Sequence, residues 1–202
     1  MTTPFPLCYT PELWTAIGTW IVALVTAVLA AGTIYLVKSQ IAEQKKATGL
    51  QLFVQLTHDF QVDDMRRLRT QFARALLAHR GSSQVDSDPL SDETVVEFFE
   101  NLAHLTKSGI LDLQMVWNYF SIAVECYWLA VRDLIGEMRR TEDEDLDLYR
   151  DWQWLAEEFL RLDGCRRSLS VPYEPSKQRV EGYLQSEVKL NLRPNAVYSM
   201  AR

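Results

Sequence analysis

Cysteine and histidine are scarce in this chain of 202 residues, with 3 of each. None is spaced for metal ligation, and the cysteines lie too far apart to suggest a disulfide framework. Glycine is thin as well, at 8 residues, and none forms a phosphate-cradling loop or a nucleophile elbow. The patterns of the common catalytic families are thus missing, and no catalytic, cofactor-binding or metal-ligating residue is assigned. Basic residues number 21 against 27 acids, and beyond residue 46 the acids still outnumber them. Such a surface matches a nucleic-acid backbone poorly, so nucleic acid is not expected as a partner.

The most telling absence is charge between residues 13 and 37, LWTAIGTWIVALVTAVLAAGTIYLV. A run of about 20 apolar residues is what a helix needs to cross a hydrocarbon layer about 30 Å thick. The segment reads as one transmembrane helix. Thr10, Pro11 and Glu12 supply its start, and Trp14, Trp20 and Tyr35 sit towards the boundaries, where amphipathic rings favour headgroups. Lys38, Lys45 and Lys46 follow, and no Lys or Arg precedes. These three lysines are the expected contacts with the membrane surface, and the bias puts residues 1–12 outside the cell. The apolar stretch is too long, and the residues before it too poor in bases, for a cleaved signal peptide. With a mean hydropathy of −0.13 the chain has room for one span and a polar globular part.

The expected plan is therefore all-α: an external stretch 1–12, the membrane helix 13–37, a basic juxtamembrane segment 38–46, a cytoplasmic bundle of about five helices over 47–190, and a flexible tail 191–202. Residues 41–60 continue the membrane helix or restart it near Thr48. Met65, Leu68, Phe72, Leu76 and His79 recur at helical steps until Gly81. The breaker-rich stretch 81–92 reads as a loop. Ser91 is expected to cap a helix ending at Gly109, and Asp112 the next, over 112–138. A further helix is expected to close at Gly164, and a weaker one to cover 176–190 after Pro172 and Pro175. Phe99, Trp117, Phe120, Tyr127, Trp128, Trp152 and Phe159 are the expected core.

Within helix 112–138, Asn118, Ser121, Glu125 and Arg132 form a polar stripe. Charge there argues against a second span, and Glu125 is the candidate buried functional carboxylate. Arg66, Arg67, Arg69, Arg74 and Arg80 make one helix basic, open to two readings: an anionic-lipid contact, or a solvated face paired with acids. The acids at 142–147 read as a helix start rather than a cation loop. Cys126 reads as a small buried hydrophobe, Cys165 as a free thiol, and Cys8 as a spectator.

FFENLAHLTKSGILDLQMVWNYFSIAVECYWLAV, followed by DWQWLAEEF, resembles a bacterial family of unknown function. In that family one N-terminal membrane helix precedes an all-helical cytoplasmic domain. The resemblance rests on Phe98, Phe99, Glu100, Gly109, Asp112, Tyr127 and Trp128 and extends over 14–163. It implies topology and fold but no reaction.

The apolar helix carries a pattern of its own. At about 100° per residue, Thr15, Thr19, Thr26 and Thr33 fall within one stripe of about 40°, joined by Ala23 and Ala30. Small and hydroxylated residues let membrane helices approach closely, so this stripe is the expected self-association face, unless each Thr simply bonds its own backbone. Two functions follow from this pattern. The first is a non-enzymatic, membrane-anchored scaffold that self-associates and recruits a protein partner still to be identified. The second is an oligomeric effector whose membrane helices enclose a pore.

Overall fold

The computed structural model describes residues 11–81, 92–141 and 147–190. The regular structure in them is six helices: α1 (Pro11–Gln61), α2 (Asp63–Gly81), α3 (Thr94–Lys107), α4 (Leu113–Thr141), α5 (Arg150–Arg166) and α6 (Lys177–Val188). The all-α expectation holds. Contacts divide the chain into two units, residues 1–47 and 48–202.

In the first unit, every described side chain of α1 from Trp14 to Lys46 is exposed. This stretch belongs to the one helix, among the described residues, that is long and apolar enough to cross a membrane, with a window of mean hydropathy 2.2. Of the expected external stretch 1–12, residues 1–10 lie outside the described residues, Cys8 and Thr10 among them, while Pro11 and Glu12 belong to α1.

The second unit is held by an aromatic core. Phe99 stacks on Trp152 with centroids 5.0 Å apart, and Trp128 meets the same indole edge-on at 5.6 Å. Phe60, near the end of α1, stacks on Phe98 and packs edge-on against Phe120. Helix α1 is continuous through Thr48, so the chain extends a single helix rather than restarting one. Gly49 permits the approach of α1 to the α3–α4 turn: a Cβ there would stand 2.3 Å from the Ile110 carbonyl oxygen.

The family-like residues acquire physical roles in this packing. Glu100 of α3 accepts the backbone N–H of Asp151 and of Trp152, at 3.2 and 2.8 Å, and so caps the start of α5 from a neighbouring helix. Gly109 takes the left-handed position after α3, with Ile110 N–H returning to Leu105 and Gly109 N–H to Thr106. Asp112 starts α4 by accepting from Met115 N–H at 2.9 Å.

Three expectations need correction. Helix α3 begins at Thr94, whose N–H meets the Asp92 carboxylate at 3.1 Å; Ser91 lies outside the described residues. Gly164 does not end α5. It lies inside the last turn, where a Cβ would stand 2.6 Å from the Val171 carbonyl oxygen, and Ser168 takes the left-handed position instead. Trp117 is only half-buried, while the other six expected core aromatics are buried. The expected loop 81–92 falls almost wholly outside the described residues, as do residues 142–146 and the tail 191–202.

Candidate functional site

Helix α4 presents its polar stripe as one wall of a cavity of about 190 Å³. Asn118, Ser121 and Glu125 face it from α4, Asp163, Arg166 and Arg167 from the end of α5, and Arg179 from α6. The stripe has the period of the helix, with successive members three, four and seven residues apart, so they stack on one side. Trp117 belongs to the same side, four residues before Ser121. Its indole N–H donates to the Asp163 carboxylate at 3.1 Å, and the Arg166 guanidinium lies 5.5 Å from its ring centre. That alignment explains why it borders the cavity instead of filling the core. Arg132, the last of the stripe, pairs with Glu174 at 2.9 Å and lies beyond the cavity.

Glu125 is 1% exposed, and its Oε1 has no hydrogen-bond partner. Burial, reinforced by the charge of Asp163, raises its carboxyl to about 7, against the opposing pull of Arg179 and Arg167. Burial also pushes the neighbouring Cys126 thiol up to about 12, helped by Glu125. Among the described residues none of Arg166, Arg167 and Arg179 forms an ion pair with a carboxylate; Arg167 instead lies over the Tyr173 ring at 3.8 Å. The cavity thus joins a carboxyl with one unpartnered oxygen to three guanidiniums that have no acid partner among the described residues.

A second buried acid sits in the opposite condition. Glu187 of α6 accepts two hydrogen bonds from Arg69 of α2, at 2.8 and 2.7 Å. Tyr127 donates to it at 3.1 Å. The remaining donor of Arg69 reaches the Phe60 carbonyl at 2.8 Å, and its guanidinium lies 3.7 Å from that ring centre. Burial and Glu187 hold the Tyr127 and Tyr183 hydroxyls well above their usual range. This network ties α2 and α6 to α4. Of the five arginines that make α2 basic, Arg69 is therefore a core residue and Arg80 bonds the Leu129 carbonyl at 2.9 Å. The helix is not one continuous lipid-facing patch.

The remaining expectations place as follows. Thr19, Thr26 and Thr33 each donate to the carbonyl four residues earlier, at 2.8 Å. Lys38, Lys45 and Lys46 are exposed. His58 and His79 are exposed, and His104 approaches Asp151 at 2.9 Å. A wider depression of about 640 Å³ runs beside Lys107, Arg139 and Arg150. Its charges are occupied: Lys107 pairs with Asp151, Arg139 with the Leu148 carbonyl and Gln153, and Arg150 with Asp147. Among the described residues no group of His, Cys, Asp and Glu is arranged to hold a metal. Sequence reasoning found Glu125 through its helical period but missed Glu187, Asp163 and Arg179, which no local pattern links to it.

An all-helical domain carrying an apolar helix defines the class of protein, and its described residues hold an open polar cavity and a closed ion-pair network. The model of a domain of unknown function, DUF4760, matches residues 20–159, and the chain belongs to that family. The match includes Glu125 and ends before Asp163, Arg167 and Arg179. No curated protein and no solved structure matches the chain.

Proposed function

We propose that this is a single-pass anchor of the cell membrane whose helical domain serves, without catalysis, as an interaction module on the cytoplasmic face. Its N-terminus lies outside, and Lys38, Lys45 and Lys46 meet anionic headgroups after the span. The module self-associates and recruits a protein partner. The observation that carries this reading is the stretch of α1 from Trp14 to Val37, apolar and exposed at every described side chain. A helix that is apolar all round requires lipid or another helix around it. The hydroxyls of Thr19, Thr26 and Thr33 are already used within their own helix. Association along Thr15, Thr19, Ala23, Thr26, Ala30 and Thr33 then rests on close packing of small side chains. Hydroxyls so occupied offer little to a water column, which favours the anchor over the pore.

A cysteine placed at the exposed Gln185, with Cys8 and Cys165 replaced by serine, tests the orientation. In intact cells it should resist a membrane-impermeant thiol reagent and react after lysis. Labelling before lysis would reverse the topology.

A further inference from the structure

We propose that the cavity between α4, α5 and α6 is a binding site for a compact dianion of the phosphate class, held by Arg166, Arg167 and Arg179 with Glu125 as a hydrogen-bond donor at its floor. Three independent observations converge on it. The first is the guanidiniums: three line one cavity, and among the described residues none is ion-paired. Guanidinium forks match the oxygens of a tetrahedral anion better than those of a neutral ligand. The second is the orphaned acid. Among the described residues, the buried polar side-chain atoms without a partner are Arg66 Nε, Trp152 Nε1 and Glu125 Oε1, and the last belongs to a carboxyl group that borders this cavity. Buried polar atoms are nearly always satisfied, so this one points to a ligand. The third is size: about 190 Å³ exceeds the roughly 150 Å³ that encloses a benzene molecule, and so admits a phosphate bearing a small organic group.

The charges fix the class of ligand further. Three arginines face two acids, Glu125 and Asp163, and Asp163 is already bonded by the Trp117 indole. With Glu125 ionised the cavity carries one net positive charge, and with Glu125 protonated it carries two. The protonated form matches a dianion in charge and also offers it an O–H. An ammonium-bearing ligand would meet three guanidiniums and is disfavoured. The groups facing Glu125 are Asp163, Arg166 and Arg167 from α5 and Arg179 from α6, with Cys126 beside it in the chain. Glu125, raised to about 7, changes charge near neutrality. For a dianion of fixed charge, binding should therefore be strongest below about pH 7 and weaken above it.

The test uses the full chain in phosphatidylcholine nanodiscs, with calorimetry as the readout. Inorganic phosphate should bind saturably. The double variant R167Q/R179Q should bind at least tenfold more weakly, since hydrogen bonds to charged groups are strong. Changing two exposed arginines outside the cavity, R67Q/R74Q, should leave binding unaltered. Sulfate keeps two charges from pH 6 to 8 and so isolates the proton on the protein. Its affinity should fall about tenfold over that range, following the carboxyl near 7. Glu125→Gln, which keeps a donor and removes the charge, should bind sulfate equally at both pH values. Doping the discs with phosphatidic acid separates the sources of the phosphate. Loss of phosphate binding then assigns the site to a lipid headgroup, and unchanged binding to a soluble phosphate compound. No saturable binding, equal weakening by R67Q/R74Q, or a pH profile that survives in Glu125→Gln would overturn the proposal.

Discussion

Glu125 and Glu187 are both buried acids of one small domain, yet their surroundings differ in almost every respect. Glu187 receives a two-pronged bond from Arg69 and a third from Tyr127, and those partners are themselves locked by backbone and ring contacts. Glu125 keeps an oxygen without a partner and faces a cavity whose cations have no acid partner among the described residues. A satisfied buried ion pair fixes three helices in register, but it is closed to any newcomer. An unsatisfied carboxyl is a standing energetic burden, tolerated where something else is gained. One acid holds the fold, and the other leaves a place in it.

The comparison is broken most directly at Arg69. Arg69→Ala strands the Glu187 charge in the interior and should destabilise the domain by about 3–5 kcal/mol in thermal or denaturant unfolding. Replacing both partners with apolar residues of similar volume, Arg69→Met with Glu187→Leu, should recover most of that loss. If the double variant is no better than the single one, the network contributes more than charge compensation.

A smaller effect is expected from pH. The folded-state pKa of Glu125 is raised above its ordinary value of 4.5 to about 7. The native domain therefore holds a proton that the unfolded chain releases between these values. Stability should decline as pH rises from about 4.5 to 7 and level off beyond, by an amount on the order of 3 kcal/mol. Glu125→Gln should flatten this slope, visible as unfolding midpoints that no longer track pH. An unchanged slope would mean that another group carries the linkage.

The smallest effect sharpens the border between core and cavity. Trp117→Phe keeps the ring and deletes the hydrogen bond to Asp163, so it should reduce stability by only about 1 kcal/mol. Trp152→Ala, in the centre, should reduce it by about 3–5 kcal/mol. Comparable losses for the two would place Trp117 in the core after all.

Much of this architecture was legible in the chain, for reasons that are local. Helices α2 to α6 show apolar residues at three- and four-residue steps, and Asp112 acts as the expected cap because capping depends on near neighbours. Glu125 stood out by the same local logic. Trp117 was misread because its size suggested burial, while its register aligns it with Ser121 and Glu125 on the polar side. Gly164 was misread because a glycine near a helix end usually supplies the left-handed turn, whereas here its missing side chain makes room for the Val171 backbone. The partnership of Arg69 with Glu187 spans 118 positions and leaves no periodic trace. The arginines of the cavity come from helix ends whose meeting only the packed structure defines.

Cys126 turns the same interior into a clock. Its thiol is 1% exposed and titrates only near 12, so it offers thiol reagents almost no thiolate while the domain is closed. Cys165, on the next helix, is exposed and should react at once. The chain thus carries a fast internal standard and a slow reporter. With Cys8 replaced by serine, the delay between the two modifications measures how often α4 and its neighbours part.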